Sequence, residues 1–147
     1  MATSFIEFKN YGYWSNDGFL EGILYLLNRE LEKIEPSQEW INDVIKEWTF
    51  AYSVGFVGCI PVCLDEYFSS EDKVSILRQV LEKLIRDFNG IDNYITVQEL
   101  NDNRVGGDGR WVGINHVGFI NTAELMLDLI NGKLKTDASS PIDYLKY

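Results

Sequence analysis

The sequence predicts a mainly α-helical fold: a single-domain antiparallel helical array with at most a minor β element. Three observations predict this class. Apolar residues recur every three or four positions over long segments, capping residues stand where these segments begin, and glycine or proline follows where they end. The 147 residues are enough for one domain with a buried core, and no internal repeat or long linker divides residues 1–147.

Three long helices carry the clearest signals. The first ends before a proline, because the residue preceding proline avoids α geometry. The second carries an apolar stripe that includes Trp48, and the third has acidic residues in its first turn, where the helix dipole favours them. The first helix is predicted to begin at Ser15 or Asn16 and to end at Glu35-Pro36. The second is predicted from Ser37 to about Gly55, and the third from Ser69 or Ser70 to Gly90.

The remaining elements are shorter. Thr96 to Glu99 matches a capping box and predicts a short helix to about Leu100, and Asn121 opens a last helix that Gly132 closes. A minor β element is expected at Ser4–Lys9 or at Trp111–Ile114. Residues 101–113 are polar and glycine-rich, which indicates a loop, and residues 136–147 are expected to form a C-terminal tail.

The charge balance limits the classes of partner. Thirteen basic residues face 23 acidic ones, giving a net charge of −10. Binding to nucleic acid or to an anionic membrane requires clustered cations, so neither is expected, whereas a basic protein is the natural electrostatic partner. The sequence contains no apolar run long enough for a transmembrane helix and no secretory signal pattern, so a cytoplasmic location is expected.

The residues that could carry catalysis are few. His116 is the only histidine, and Cys59 and Cys63 are the only thiols. Their apolar sequence neighbours predict inert thiols buried like small hydrophobic side chains, and three soft ligands are too few for a structural zinc site. We therefore expect neither a catalytic residue nor a bound metal or cofactor. A small enzyme that uses a metal or His116 with a cysteine remains the alternative.

A cluster of acidic and aromatic residues is the leading candidate for a binding surface. It runs from the end of the apolar connector of residues 55–68 into the first turn of the third long helix, and Phe68 is expected to join it as a second ring beside Tyr67. A tryptophan and an arginine in the glycine-rich loop form a second edge, because these residue types anchor many interfaces. The predicted contact residues are Asp65, Glu66, Tyr67, Glu71, Asp72, Arg110 and Trp111.

A family resemblance agrees with this interpretation. The segment Trp48-x3-Tyr52-x2-Gly55-Phe-x-Gly58-Cys-Ile, followed by Leu64-Asp-Glu and the helix Ser69–Phe88, resembles small bacterial immunity proteins over residues 48–90. Those are cytosolic inhibitors encoded beside polymorphic or contact-dependent growth-inhibition toxins. The resemblance implies a stoichiometric inhibitor with no chemistry of its own. Such toxins are often nucleases, so the implied partner is a basic cognate toxin domain. An adaptor that binds a partner helix in an apolar groove remains a further alternative.

Overall fold

A computed structural model describes residues 2–108 and 111–134 of the chain. Within these residues the fold is mainly α-helical with one small antiparallel sheet, which confirms the predicted class. No helix in these two ranges is both long and apolar enough to cross a membrane. The elements are β1 (Thr3–Phe8), β2 (Tyr11–Asn16), α1 (Asp17–Leu31), α2 (Glu39–Ser53), α3 (Leu64–Tyr67), α4 (Glu71–Gly90), α5 (Val97–Asp102) and α6 (His116–Ile130).

The two strands form a hairpin that leads directly into α1. Thr3 pairs with Asn16 and Phe8 with Tyr11, and Lys9 and Asn10 both adopt positive φ in the two-residue turn. The strand expected at Ser4–Lys9 is confirmed as β1, but its partner β2 was not predicted. The Lys9-Asn10 turn lacks the glycine that usually marks a tight hairpin, which explains the omission.

The strand considered at Trp111–Ile114 is wrong, because these residues are irregular. The Asn101 side chain forms the hydrogen bonds to the Trp111 backbone that a neighbouring strand would otherwise form. Its Oδ1 accepts a hydrogen bond from the Trp111 backbone N–H at 3.0 Å, and its Nδ2 donates one to the Trp111 carbonyl at 3.1 Å. The backbone groups of Trp111 are therefore satisfied without a sheet.

Helix α1 is the centre of the fold. It packs against α2, α4 and α6, and twelve of its fifteen residues are buried. Asn16 caps it as predicted, since its side chain accepts a hydrogen bond from the Phe19 N–H. The helix ends at Leu31, before the expected Glu35-Pro36, because the chain tightens there into a turn with a bond from the Lys33 N–H to the Glu30 carbonyl.

Helix α2 begins two residues after the expected cap. Gln38 is the N-cap residue and makes no side-chain capping bond, whereas the Ser37 hydroxyl bonds with the Asn42 side chain instead. The predicted apolar stripe is correct. Trp48 is fully buried at its centre and donates a hydrogen bond to the Val62 carbonyl at 2.8 Å, which ties α2 to the connector before α3.

Helices α4 and α6 pack against each other and against α1. Ser70 caps α4 as predicted, accepting a hydrogen bond from the Lys73 N–H. Helix α6 begins at His116, five residues before the expected start at Asn121, because Asn115 is its cap and accepts a hydrogen bond from the Gly118 N–H at 2.9 Å. The expected tail at 136–147 lies outside the described residues.

Candidate functional site

Helix α3 places two of the predicted contact residues, Glu66 and Tyr67, near acids of α2. Burial raises the pKa of the Tyr67 phenol, and the negative charges of Glu47, Glu66 and Asp43 raise it further. These carboxylates therefore lie near enough to the tyrosine for their charges to act on it. We call Asp43, Glu47, Glu66 and Tyr67 the Tyr67 patch. Its three acids are exposed and Tyr67 is half-buried.

Two other residues of the predicted cluster are engaged within the protein instead, Asp65 at the surface and Phe68 in the core. The Asp65 carboxylate accepts a hydrogen bond from the Lys9 backbone N–H at 2.9 Å, which ties α3 to the hairpin turn. The expectation that Phe68 joins this surface cluster is wrong. Phe68 is fully buried, with its ring centre 5.7 Å from that of Trp40 and 5.8 Å from that of Trp48. Its role is in the core rather than on a binding surface.

The first turn of α4 keeps its predicted acids at the surface. Both Glu71 and Asp72 are exposed. Glu71 forms an ion pair with Arg78 at 3.3 Å, and the Lys73 ammonium lies 5.1 Å from the centre of the Trp40 ring. Arg78 therefore offsets part of the negative charge of this turn.

A cleft of about 680 Å³ separates the end of α2 from the glycine-rich loop. The chain can pass closely here because Gly106 and Gly107 adopt positive φ, which glycine tolerates without strain. The Gly106 N–H donates a 2.7 Å hydrogen bond to the Tyr52 carbonyl, and this bond fastens the loop to α2. The cleft is lined by Gly18, Glu21, Ser53, Val54, Gly55, Arg104, Val105, Gly106, Gly107, Asp108, Trp111, Val112 and Gly113.

Trp111 forms a fixed aromatic wall of this cleft. Its indole N–H donates to the Val105 carbonyl at 2.8 Å, and its ring meets Phe119 edge to face at 5.6 Å between ring centres. The structure thus places predicted contact residue Trp111 in the cleft rather than at the Tyr67 patch. The other predicted loop residue, Arg110, lies outside the described residues.

The acid that lines the cleft, Glu21, was not predicted from the sequence. It lies on α1 and is only 6% exposed. Burial raises its pKa from 4.5 to about 7, and the negative charge of Asp17 one turn earlier raises it further. Asp17 is itself satisfied, because it accepts hydrogen bonds from the Ser4 hydroxyl at 2.6 Å and from the Gly58 N–H at 2.7 Å.

The candidate catalytic residues do not converge. Both cysteines are exposed, so the expectation of buried thiols is wrong: the connector around them runs along the surface. Partial burial and the nearby Glu66 and Glu47 raise the pKa of the Cys63 thiol. Cys63 lines one cavity with residues of β1 and α3, whereas His116 lines another. The His116 Nε2 lies 2.9 Å from Asn89 Oδ1.

The described residues also lack an assembled metal site. Within 2–108 and 111–134, no three histidine, cysteine, aspartate or glutamate side chains are grouped so that they could hold a metal ion. Comparison of the chain with protein-family models, curated proteins and solved structures found no match. The resemblance to immunity proteins therefore remains a prediction from the sequence.

Proposed function

We propose that this protein is an immunity protein that binds a cognate toxin domain with nuclease activity and blocks its basic active-site cleft. The observation that supports this proposal best is the Tyr67 patch, where the exposed carboxylates of Asp43, Glu47 and Glu66 lie near one partly exposed ring. A chain with a net charge of −10 attracts a cationic partner over a distance, and the patch supplies a local anchor for it. The protein would act in the cytoplasm, where such a toxin meets its substrate.

The patch suits a binding surface for a physical reason. Carboxylates presented by helices can occupy the positions of phosphate groups in a cationic groove, and charge complementarity speeds the encounter of two proteins. A half-buried tyrosine adds contact area with little loss of side-chain freedom on binding, because its ring is already held in place. No catalytic step is required, since occupation of the groove is enough to exclude substrate.

The direct test is co-expression with the product of the neighbouring gene. We expect the protein to restore growth to cells that express this product, and to form a complex with it. Asp43→Asn/Glu47→Gln/Glu66→Gln should weaken the complex about 10- to 100-fold at low salt, with a smaller loss at high salt. A matched variant, Glu82→Gln/Asp92→Asn/Glu124→Gln, removes three exposed charges elsewhere and should leave binding within about threefold.

Two results would count against this proposal. If the neighbouring product neither binds the protein nor is neutralised by it, the immunity function is wrong. If both triple variants weaken the complex equally, net charge alone drives binding and the Tyr67 patch is not the contact surface.

A second candidate, an adaptor that binds an apolar segment, is favoured by one observation. Exposed apolar side chains gather where α2 ends: Phe50 is 53% and Val57 76% exposed, and the Phe50 ring packs against Phe56 at 5.5 Å between ring centres. Binding through this surface would be insensitive to salt and would be lost in Phe50→Ser. Salt dependence of partner binding therefore separates the two candidates.

A further inference from the structure

The cleft beside the glycine-rich loop contains a buried acid that has no partner in the described part of the chain. No side chain or N–H of residues 2–108 and 111–134 donates a hydrogen bond to the Glu21 carboxyl group, and no cation there forms an ion pair with it, although Glu21 is only 6% exposed. Burying an acid without such a partner is unfavourable for folding. This cost is explained if the cleft receives a ligand.

Gly106 lies between the acid and the aromatic wall of the cleft. A Cβ built at Gly106 would lie 3.6 Å from Glu21 Oε1 and 3.9 Å from Trp111 Nε1. The carboxyl group and the indole therefore both lie next to the backbone of Gly106. The acid and the aromatic wall are thus neighbours across an open space. An acid beside an aromatic ring is a recognised arrangement for holding an organic cation, by ion pairing and by cation–π attraction.

The charges around the cleft favour a cation further. Asp17 adds negative charge from α1, one turn before Glu21. Arg104 is the cation among the described residues that line the cleft, and its guanidinium group lies 3.6 Å from the Asp108 carboxylate, so its charge is partly offset there. An anionic ligand would meet the buried acid Glu21 with Asp17 one turn behind it, whereas a cation would relieve the repulsion between these two acids.

We propose that this cleft binds an alkylguanidinium group, with Glu21 as its counter-charge and Trp111 as its aromatic wall. A guanidinium group is planar, carries five N–H donors and is weakly hydrated, so it can bond a carboxylate while it stacks on an indole. The group can come from an arginine side chain of a protein partner or from a free guanidino compound. The inference does not depend on the proposed toxin partner, because it concerns the isolated protein.

Binding should be coupled to release of a proton from Glu21. The free protein holds this acid with a pKa of about 7, and a guanidinium ion bound beside it favours the ionised form. The affinity should therefore rise as the pH increases from 6 to 8 and level off above the pKa of the free acid. The other charged groups that face the site are Asp17 on α1, and Arg104 and Asp108 on the loop after α5.

The test uses the full chain and ethylguanidinium, with neutral ethylurea as a probe of nearly the same shape. Binding is followed by nuclear magnetic resonance through the Trp111 indole N–H signal at pH 7.5. We expect ethylguanidinium to shift this signal saturably and ethylurea to leave it unchanged. Glu21→Gln should weaken binding at least tenfold, whereas Glu82→Gln, which removes an exposed acid on α4, should have no effect.

Two further arms identify the source of the group. If N-acetyl-arginine-methylamide binds as tightly as ethylguanidinium, the group comes from an arginine side chain. If agmatine binds and N-acetyl-arginine-methylamide does not, the group comes from a free compound. Equal affinity in wild type and Glu21→Gln would overturn the proposal. So would binding that appears only in Arg110→Gln, because the chain's own arginine would then be the occupant. Failure here leaves the toxin-binding experiment unaffected.

Discussion

Replacing Glu21 with glutamine should stabilise the protein, and the gain should depend on pH. The pKa of Glu21 rises from 4.5 to about 7 on folding, chiefly through burial. Between these two pH values the folded state holds a proton that the unfolded state has lost, so the stability of the wild type falls as the pH rises. A tenfold change in proton affinity is worth about 1.4 kcal/mol, so the full loss by pH 8 is on the order of 3 kcal/mol.

Glu21→Gln keeps the size and polarity of the side chain but cannot ionise. Its free energy of unfolding should match that of the wild type near pH 4.5 and exceed it by about 3 kcal/mol at pH 8. The assay is urea unfolding at pH 4.5, 6, 7 and 8, with the slope compared between variants to confirm that the unfolded state is unchanged. Glu82→Gln, at an exposed position, should follow the wild type at every pH.

The stability difference between wild type and Glu21→Gln isolates this one group, because other titrating residues contribute equally to both. A difference that stays constant from pH 4.5 to 8 would refute the assignment of the pH dependence to Glu21. A glutamine variant that is less stable than the wild type at pH 8 would show that the ionised carboxylate makes a stabilising contact. Glu21 would then not be an unpartnered acid that a bound cation has to explain.

Three other changes test the core. Glu30 behaves in the opposite way: burial would raise its pKa, but hydrogen bonds from Lys83, Tyr94 and Lys33 outweigh burial and lower the pKa to about 2. The ionised carboxylate therefore stabilises the fold above pH 4.5, and this stabilisation is lost as the pH falls towards 2. In urea unfolding, Glu30→Gln should cost about 3 kcal/mol at pH 7 and little at pH 2. Gly118→Ala should cost about 1–3 kcal/mol, because its Cβ would overlap the Phe19 ring, whereas Gly113→Ala meets nothing within 4 Å and should be neutral. Trp48→Phe should cost about 1–3 kcal/mol by leaving the buried Val62 carbonyl without its donor; an unchanged melting temperature would contradict this.

The elements that the sequence predicted well are those whose signals are local. Asn16, Ser70 and Thr96 cap α1, α4 and α5 as expected, because a cap depends on a side chain and a backbone N–H two or three residues away. The start of α6 was placed too late because Gly118 interrupts the apolar pattern. That glycine is required by the Phe19 ring, which packs against it from α1, and such a contact is invisible in a local window.

The candidate site was predicted only in part for the same reason. Glu66 and Tyr67 were expected at the surface, but the acids that complete their patch come from α2, and only the tertiary fold brings Asp43 and Glu47 near them. Asp65 has the same sequence environment as Glu66, yet the hairpin turn occupies its carboxylate. A run of acids in the sequence therefore indicates that a surface is negatively charged, but it does not show which carboxylates remain free to bind a partner.

The two buried glutamates of α1 show how function can be separated from folding. Glu30 is surrounded by donors, with Tyr94 at 2.8 Å, Lys83 at 3.0 Å and Lys33 at 3.1 Å, and its low pKa shows that the fold stabilises its charge. Glu21 lies on the same helix and opens to a cleft, and its raised pKa shows that the fold opposes its charge. The stability of the fold explains why Glu30 is an acid, whereas a neutral residue in place of Glu21 would make the fold more stable. An acid that lowers stability, beside a tryptophan held by its own hydrogen bond, is best explained by a cation that arrives from outside the described chain.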